Sequence, residues 1–390
     1  DLKKNNLIIK MNNSNISGQC SKKYLKVLEE FKKNFETSED LGASFSVYKE
    51  GKPIIDLIGG YKDLNKKSKW DKTTIVSVHS VGKGLISICI AILIDRGLLD
   101  LDRPVEKYWP EFSSNGKKKI LVRDLLSHQA GMYGWTEPMK ERDLYNWDYC
   151  TKLLSEQKPF HNLKDETCYH AKTSGYLSGE IIRRISGKTV GRFIQDEVVK
   201  KRNFQAFIGI PDKYHSLISE IKQYSKNKLI DKKIQKKDKY NKIVFQNPPF
   251  SIKTYGTREW KVSEIPSLNC YSNSRSLAAI YDLFVNTENT KLRLISKETL
   301  LKVTKIESDK MDYVMRMPIK WSPTGFIIGG GKLFGNNKES FGHTGSGGSI
   351  AFGDPVNKIG VAYTVNSFSN NLTTDKRGLS LVNAFYNCIN

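Results

Sequence analysis

The sequence predicts an α+β fold, an antiparallel sheet flanked by helices with a mainly helical lobe inserted into it. Three observations point there. Strand patterns gather at the two ends of the 390-residue chain. Helical spacing and long loops dominate between about 143 and 302. A clear hairpin stands near the start, where 42–48 and 53–58 alternate and flank the turn Lys49-Glu50-Gly51-Lys52.

The elements follow in order. Residues 24–35 place Tyr24, Leu25, Val27, Leu28 and Phe31 at helical spacing. The hairpin comes next, and then the β-branched run 74–78. A nearly unbroken apolar stretch, 85–94, reads as a helix buried on most sides. A turn is expected at 98–104 and a short helix at 122–127. The clearest helices of the middle region are 174–185, 190–199 and 276–284. Strand character returns at 325–328, 340–343, 349–352 and 360–365, and a closing helix spans 375–388. This pattern assigns 24–115 and 315–390 to a discontinuous sheet lobe. It assigns 116–314 to the helical lobe, including a lysine-rich insert near 222–242. The cleft between the lobes is the expected place for a substrate.

Composition narrows the class. A hydrophobic fraction of 38% with 11% aromatic residues suits a globular protein with a sizeable core. The longest apolar run, 85–93, falls short of the roughly 20 residues needed to cross a bilayer. The first residues are polar and lack the apolar core of a secretory signal. Six cysteines stand singly, with no C-x-x-C pair and no Cys/His cluster at metal spacing. Neither a metal nor a cofactor is therefore expected, Cys168 reads as packing, and free thiols suit a reducing cytoplasm. The net charge of +22 raises the question of a polyanionic partner. Its densest patch lacks interleaved aromatics and no nucleic-acid motif accompanies it, so a solvated lysine-rich insert is the reading taken.

Ser80-Val81-Gly82-Lys83 carries the chemistry. Ser46, Ser114, Ser155, Ser219 and Ser225 also precede a lysine by three positions, so spacing alone selects nothing. Ser80 differs in opening the buried helix. There, unpaired N–H groups and the positive end of the helix dipole favour an oxyanion. Lys83 lies one turn on, on the same face, and can take the serine proton. Burial and the dipole both lower its pKa. Tyr169, in Cys168-Tyr169-His170-Ala171, is expected to serve as a general base, its phenolate favoured by the nearby lysine. His170 is the alternative base and otherwise a substrate contact. His343-Thr344-Gly345 begins a glycine-rich strand end that should bind substrate. The N–H of Ser346 is expected to join that of Ser80 in an oxyanion hole.

Ser80-x-x-Lys83, Tyr169-x-Ala171 and His343-Thr344-Gly345, in this order, resemble the serine β-lactamase and penicillin-binding-protein superfamily. The likeness is strongest to its class C branch and to family VIII carboxylesterases, and it runs from about residue 24 to the C-terminus. It implies a β-lactamase/transpeptidase-like two-lobe fold, an acyl-enzyme on Ser80, proton handling by Lys83 and Tyr169, and no metal. Two departures matter. Ala171 stands where lactamases carry an asparagine that meets the substrate amide. His343 stands where they carry a lysine that holds the substrate carboxylate. Both losses point to neutral esters. The expected activity is a carboxylesterase on small or short-chain esters; the rivals are a β-lactamase or D-alanyl-peptide hydrolase, and a catalytically silent scaffold.

Overall fold

The computed structural model describes residues 6–10, 15–37, 40–223, 238–249, 251–329, 333–369, 371 and 373–389. Most of the lysine-rich stretch near 222–242 lies outside these residues.

Ten strands form one antiparallel sheet. Its order is Asn6–Lys10, Ile16–Ser21, Lys52–Gly60, Gly42–Lys49, Ile359–Val365, Ile350–Asp354, Phe341–Thr344, Ile327–Ile328, Met317–Trp321 and Ser308–Asp312. The join between the two ends of the chain is the pairing of Gly42–Lys49 with Ile359–Val365, Val47 facing Val361. Alternation along that seam sorts side chains onto two faces. Phe45, Val47, Val361 and Tyr363 pack with Val27, Phe31, Leu381 and Phe385 of the helices Leu25–Thr37 and Lys376–Ile389. The opposite face is built small. A Cβ on Gly360 would stand 1.9 Å from the Ala278 carbonyl oxygen, so only glycine lets the Ser274–Val285 helix lie directly on the strand.

The helix Val81–Asp95 packs beside it and carries the apolar run to its physical conclusion. Every residue from Val81 to Ile94 is buried. Sheet strands cover one side, and the helices Ser174–Ser186 and Val190–Ile194 cover another. Each fully buried Ile or Leu contributes roughly 1.5–3 kcal/mol. The start of this helix is thereby held rigidly between the sheet and the helical region.

Several elements depart from the sequence expectations. The sheet takes in Asn6–Lys10 and Ile16–Ser21, which precede residue 24, and Ser308–Asp312, which precedes 315. Ser308–Asp312 has three charged residues and little β-propensity, but it is an edge strand whose middle residues face water. The Ser274–Val285 helix, placed by sequence with the helical lobe, packs on the sheet. The segment 74–78 supplies only Val76–Ser77, which pairs with Cys270–Ser272 in a small three-stranded sheet.

Candidate active site

Between the strand Val76–Ser77 and the helix Val81–Asp95 the chain turns sharply. His79 takes a left-handed conformation, φ +47°, which is costly for a residue with a Cβ and reorients the chain within one step. Ser80 follows as the helix N-cap, yet its side chain makes no capping hydrogen bond and stays available.

Lys83 lies one turn further and is only 4% exposed. Its Nζ is 2.9 Å from Ser80 Oγ, 2.9 Å from the Ala171 carbonyl oxygen and 2.8 Å from the Ser267 carbonyl oxygen. Among the described residues no carboxylate pairs with it, and burial pushes its pKa well below the ordinary lysine value. A neutral amine has two N–H donors and one lone pair. In its neutral form the amine gives those donors to the two carbonyls, and its lone pair then faces Ser80 Oγ, ready to accept the hydroxyl proton.

Tyr169 is brought to the same point. Its phenol hydrogen-bonds the Ser80 side chain, and Lys83 Nζ lies 5.0 Å from its ring centroid. The ring stacks on Trp321 at 5.6 Å and 9°, and meets His128 edge-on at 5.3 Å. The expected phenolate is corrected here. Burial, reinforced by the charge of Asp312 and opposed by the Ser80 hydrogen bond, raises the Tyr169 pKa above the usual phenol value. Burial disfavours the charged form of the lysine too, which weakens the compensating positive charge it can supply. Burial thus favours the uncharged form of both partners.

His170 is corrected as well. It is fully buried. Its Nε2 accepts the Met132 N–H at 3.1 Å, so its Nδ1–H donates to His128 Nδ1 at 2.8 Å. Burial lowers its pKa to about 3, and both ring nitrogens are occupied. It is neither a base nor a substrate contact; it anchors the Tyr169 segment.

The third segment arrives along Phe341–Thr344. A Cβ on Gly345 would stand 2.2 Å from the Val78 carbonyl oxygen, so glycine here lets the segment press against the turn that carries Ser80. Neither the Ser80 N–H nor the Ser346 N–H has a hydrogen-bond partner among the described residues. His343 donates from Nδ1 to the Thr344 carbonyl oxygen at 2.6 Å. Its Nε2 is therefore an acceptor, and it is buried with no hydrogen-bond partner among the described residues. Burial, with Lys83 adding to it, lowers the His343 pKa to about 3, so the ring is uncharged. Tyr169, His343 and Thr344 open onto a cavity of about 430 Å³ whose other walls include Met315, Met317, Trp321 and Ile328.

Sequence reasoning missed three contributors. The Ser267 carbonyl is invisible to motif reading because only its backbone acts. Trp321 looks like any core aromatic. Asp312 is a buried carboxylate whose Oδ1 accepts the N–H groups of Tyr169, Val314 and Met315 at 3.2, 3.0 and 2.9 Å. Its Oδ2 accepts Trp321 Nε1–H at 3.3 Å, so one side chain positions the tyrosine and the ring stacked on it. Asp312→Asn puts an amide donor against those donors. Its expected cost is about 1–3 kcal/mol of stability and about a tenfold loss in kcat, with KM little changed. Thermal unfolding and steady-state kinetics check this; a normal kcat with a lowered Tm would show that Asp312 serves the fold alone.

A serine beside a buried lysine and a phenol, with the N–H groups of Ser80 and Ser346 unpartnered among the described residues, is the equipment of a serine hydrolase. The chain belongs to the β-lactamase family, whose family model matches residues 31–383. Its solved-structure likenesses include a family VIII carboxylesterase, 32% identical with a TM-score of 0.88, covering 96% of this chain and 99% of that one. A penicillin-binding-protein homologue from Caulobacter crescentus is 29% identical with a TM-score of 0.87, again covering 96% and 99%. An esterase/β-lactamase of Mycobacterium tuberculosis is 27% identical over 90% of this chain and 82% of its own length.

Proposed function

We propose that the protein is a carboxylesterase acting through an acyl-enzyme on Ser80. The carrying observation is the buried Lys83 Nζ, held by the Ala171 and Ser267 carbonyls at 2.9 Å from Ser80 Oγ, so that its neutral form aims a lone pair at the serine hydroxyl. Ser80 Oγ attacks the ester carbonyl as its proton passes to Lys83. The carbonyl oxygen becomes an oxyanion held by the N–H groups of Ser80 and Ser346. The Lys83 ammonium then returns the proton through the Tyr169 phenol to the departing alkoxide, and the alcohol leaves. Water enters, gives its proton to Lys83 by the same route and adds to the acyl carbon; the ammonium returns that proton to Ser80 Oγ as the acyl–oxygen bond breaks, and the acid is released.

Substrate class follows from what surrounds the nucleophile. His343 Nε2 is a neutral acceptor and repels a carboxylate rather than holding one. Ala171 offers a methyl group where an amide would be recognised. The apolar cavity suits the uncharged acyl or alcohol portion of a small ester. Side-by-side kinetics on a p-nitrophenyl ester and a chromogenic cephalosporin test the reading. The ester should be favoured by at least about a hundredfold in kcat/KM, the scale of about 3 kcal/mol. A cephalosporin turned over as well as the ester would move the protein to its lactam-hydrolysing rival. That rival draws support from the name of the Mycobacterium tuberculosis relative, an esterase/β-lactamase. A purified protein that reacts with neither, and escapes a fluorophosphonate probe, would be the silent scaffold. All six cysteines are unpaired, which supports a cytoplasmic location; no helix among the described residues is long and apolar enough to cross a membrane.

A further inference from the structure

Beside the Tyr169 segment, three ligand-type side chains converge. His161, Glu166 and Cys168 each offer one atom, and these atoms all lie within 4.8 Å of one another. Sequence spacing hid the cluster, because His161-x-x-x-x-Glu166-x-Cys168 matches no familiar zinc pattern; the loop must fold back to close it.

We propose that His161, Glu166 and Cys168 form a binding site for a borderline-soft divalent cation of the zinc type. Four features carry this. First, Cys168 Sγ lies 3.5 Å from Glu166 Oε2. Tetrahedral zinc with bonds of about 2.3 Å to sulfur and about 2.0 Å to oxygen needs an S···O edge of about 3.5 Å. Second, His161 presents the correct tautomer. Its Nδ1–H donates to the Asn162 carbonyl oxygen at 2.7 Å, so Nε2 carries the lone pair. That kind of outer contact orients metal-ligating histidines. Third, His161 Nε2 is buried and has no hydrogen-bond partner among the described residues, a cost that a metal bond would relieve. Fourth, His161 and Glu166 line a cavity of about 720 Å³, which leaves room for a fourth ligand.

Glu166 is not idle without a metal. It accepts the Tyr240 hydroxyl at 2.9 Å and pairs with Lys239 at 3.5 Å. Tyr240 can stay as an outer partner of the carboxylate. Lys239, whose side chain is 60% exposed, is free to swing into water when a divalent ion arrives. Binding replaces the thiol hydrogen, so a sulfur–metal bond forms, an S–H bond breaks and one proton goes to solvent. No change of oxidation state is involved.

Cobalt(II) is the probe, because a cobalt–thiolate bond gives a near-ultraviolet charge-transfer band. Titrating the full-length protein with cobalt chloride should raise that band to saturation at one equivalent, and zinc chloride should bleach it. Cys168→Ser should abolish the band, and His161→Gln should weaken cobalt binding at least tenfold. His161 is only partly buried, so its variant decides the matter if the serine variant fails to fold. No band in the wild-type protein, or a band of unchanged affinity in either folded variant, overturns the proposal.

Discussion

Ester hydrolysis should fall by a factor on the order of 10³ or more when Ser80 is replaced by alanine, with the fold intact. The size of the effect comes from the loss of the covalent intermediate; the remaining oxyanion donors and the cavity sustain only a small residue of rate. The fold should survive because the Ser80 side chain caps nothing. Its oxygen is one of three that surround Lys83 Nζ, and the other two are backbone carbonyls untouched by the change. Kinetics on a p-nitrophenyl ester, far-ultraviolet circular dichroism and labelling by a fluorophosphonate check all parts together. Wild-type turnover by the purified variant would remove Ser80 from the mechanism.

Loss of the amine should be nearly as damaging. Lys83→Met keeps most of the volume but leaves the Ala171 and Ser267 carbonyls without their donor, a cost of about 1–3 kcal/mol for each buried acceptor. It also removes the base, so kcat/KM should drop on the order of 10³-fold. The wild-type pH profile carries the same information. Only the neutral amine accepts the serine proton, so activity should decline as pH falls through the Lys83 pKa, which burial holds well below 10.5. The surrounding histidines do not set this limb: burial holds His79 near about 4 and His170 and His343 near about 3, so they stay neutral around pH 7. Stability follows the same sign. The unfolded chain keeps the lysine proton to higher pH than the folded one. This contribution is therefore complete above the unfolded value and fades as pH falls toward the folded one. Lys83→Arg, charged at every accessible pH, should be inactive with no recovery in alkali. An active arginine variant would rule out the neutral amine as base.

Much of the fold was legible because local rules and global packing agree. The hairpin 42–60 has a turn that fits its strands, and the helix after Ser80 is apolar all round because it is buried all round. Ser308–Asp312 was illegible because an edge strand can be charged, and its pairing with Met317–Trp321 is not written in its own residues. The Tyr169 ionisation was misread for a different reason. Sequence places a cation beside the phenol, but whether that lysine is charged depends on how deeply both are buried.

Residue types and their order along the chain determined the chemistry on offer: a hydroxyl and an amine one helical turn apart, a phenol, and a glycine-backed strand end. The tertiary structure decided which form each group takes. It removed Lys83 from water without giving it a carboxylate, turned His170 inward onto His128, and brought Asp312 from a distant strand to hold the Tyr169 segment. Solvation and long-range hydrogen bonds set those outcomes, and neither is a property of neighbours in sequence.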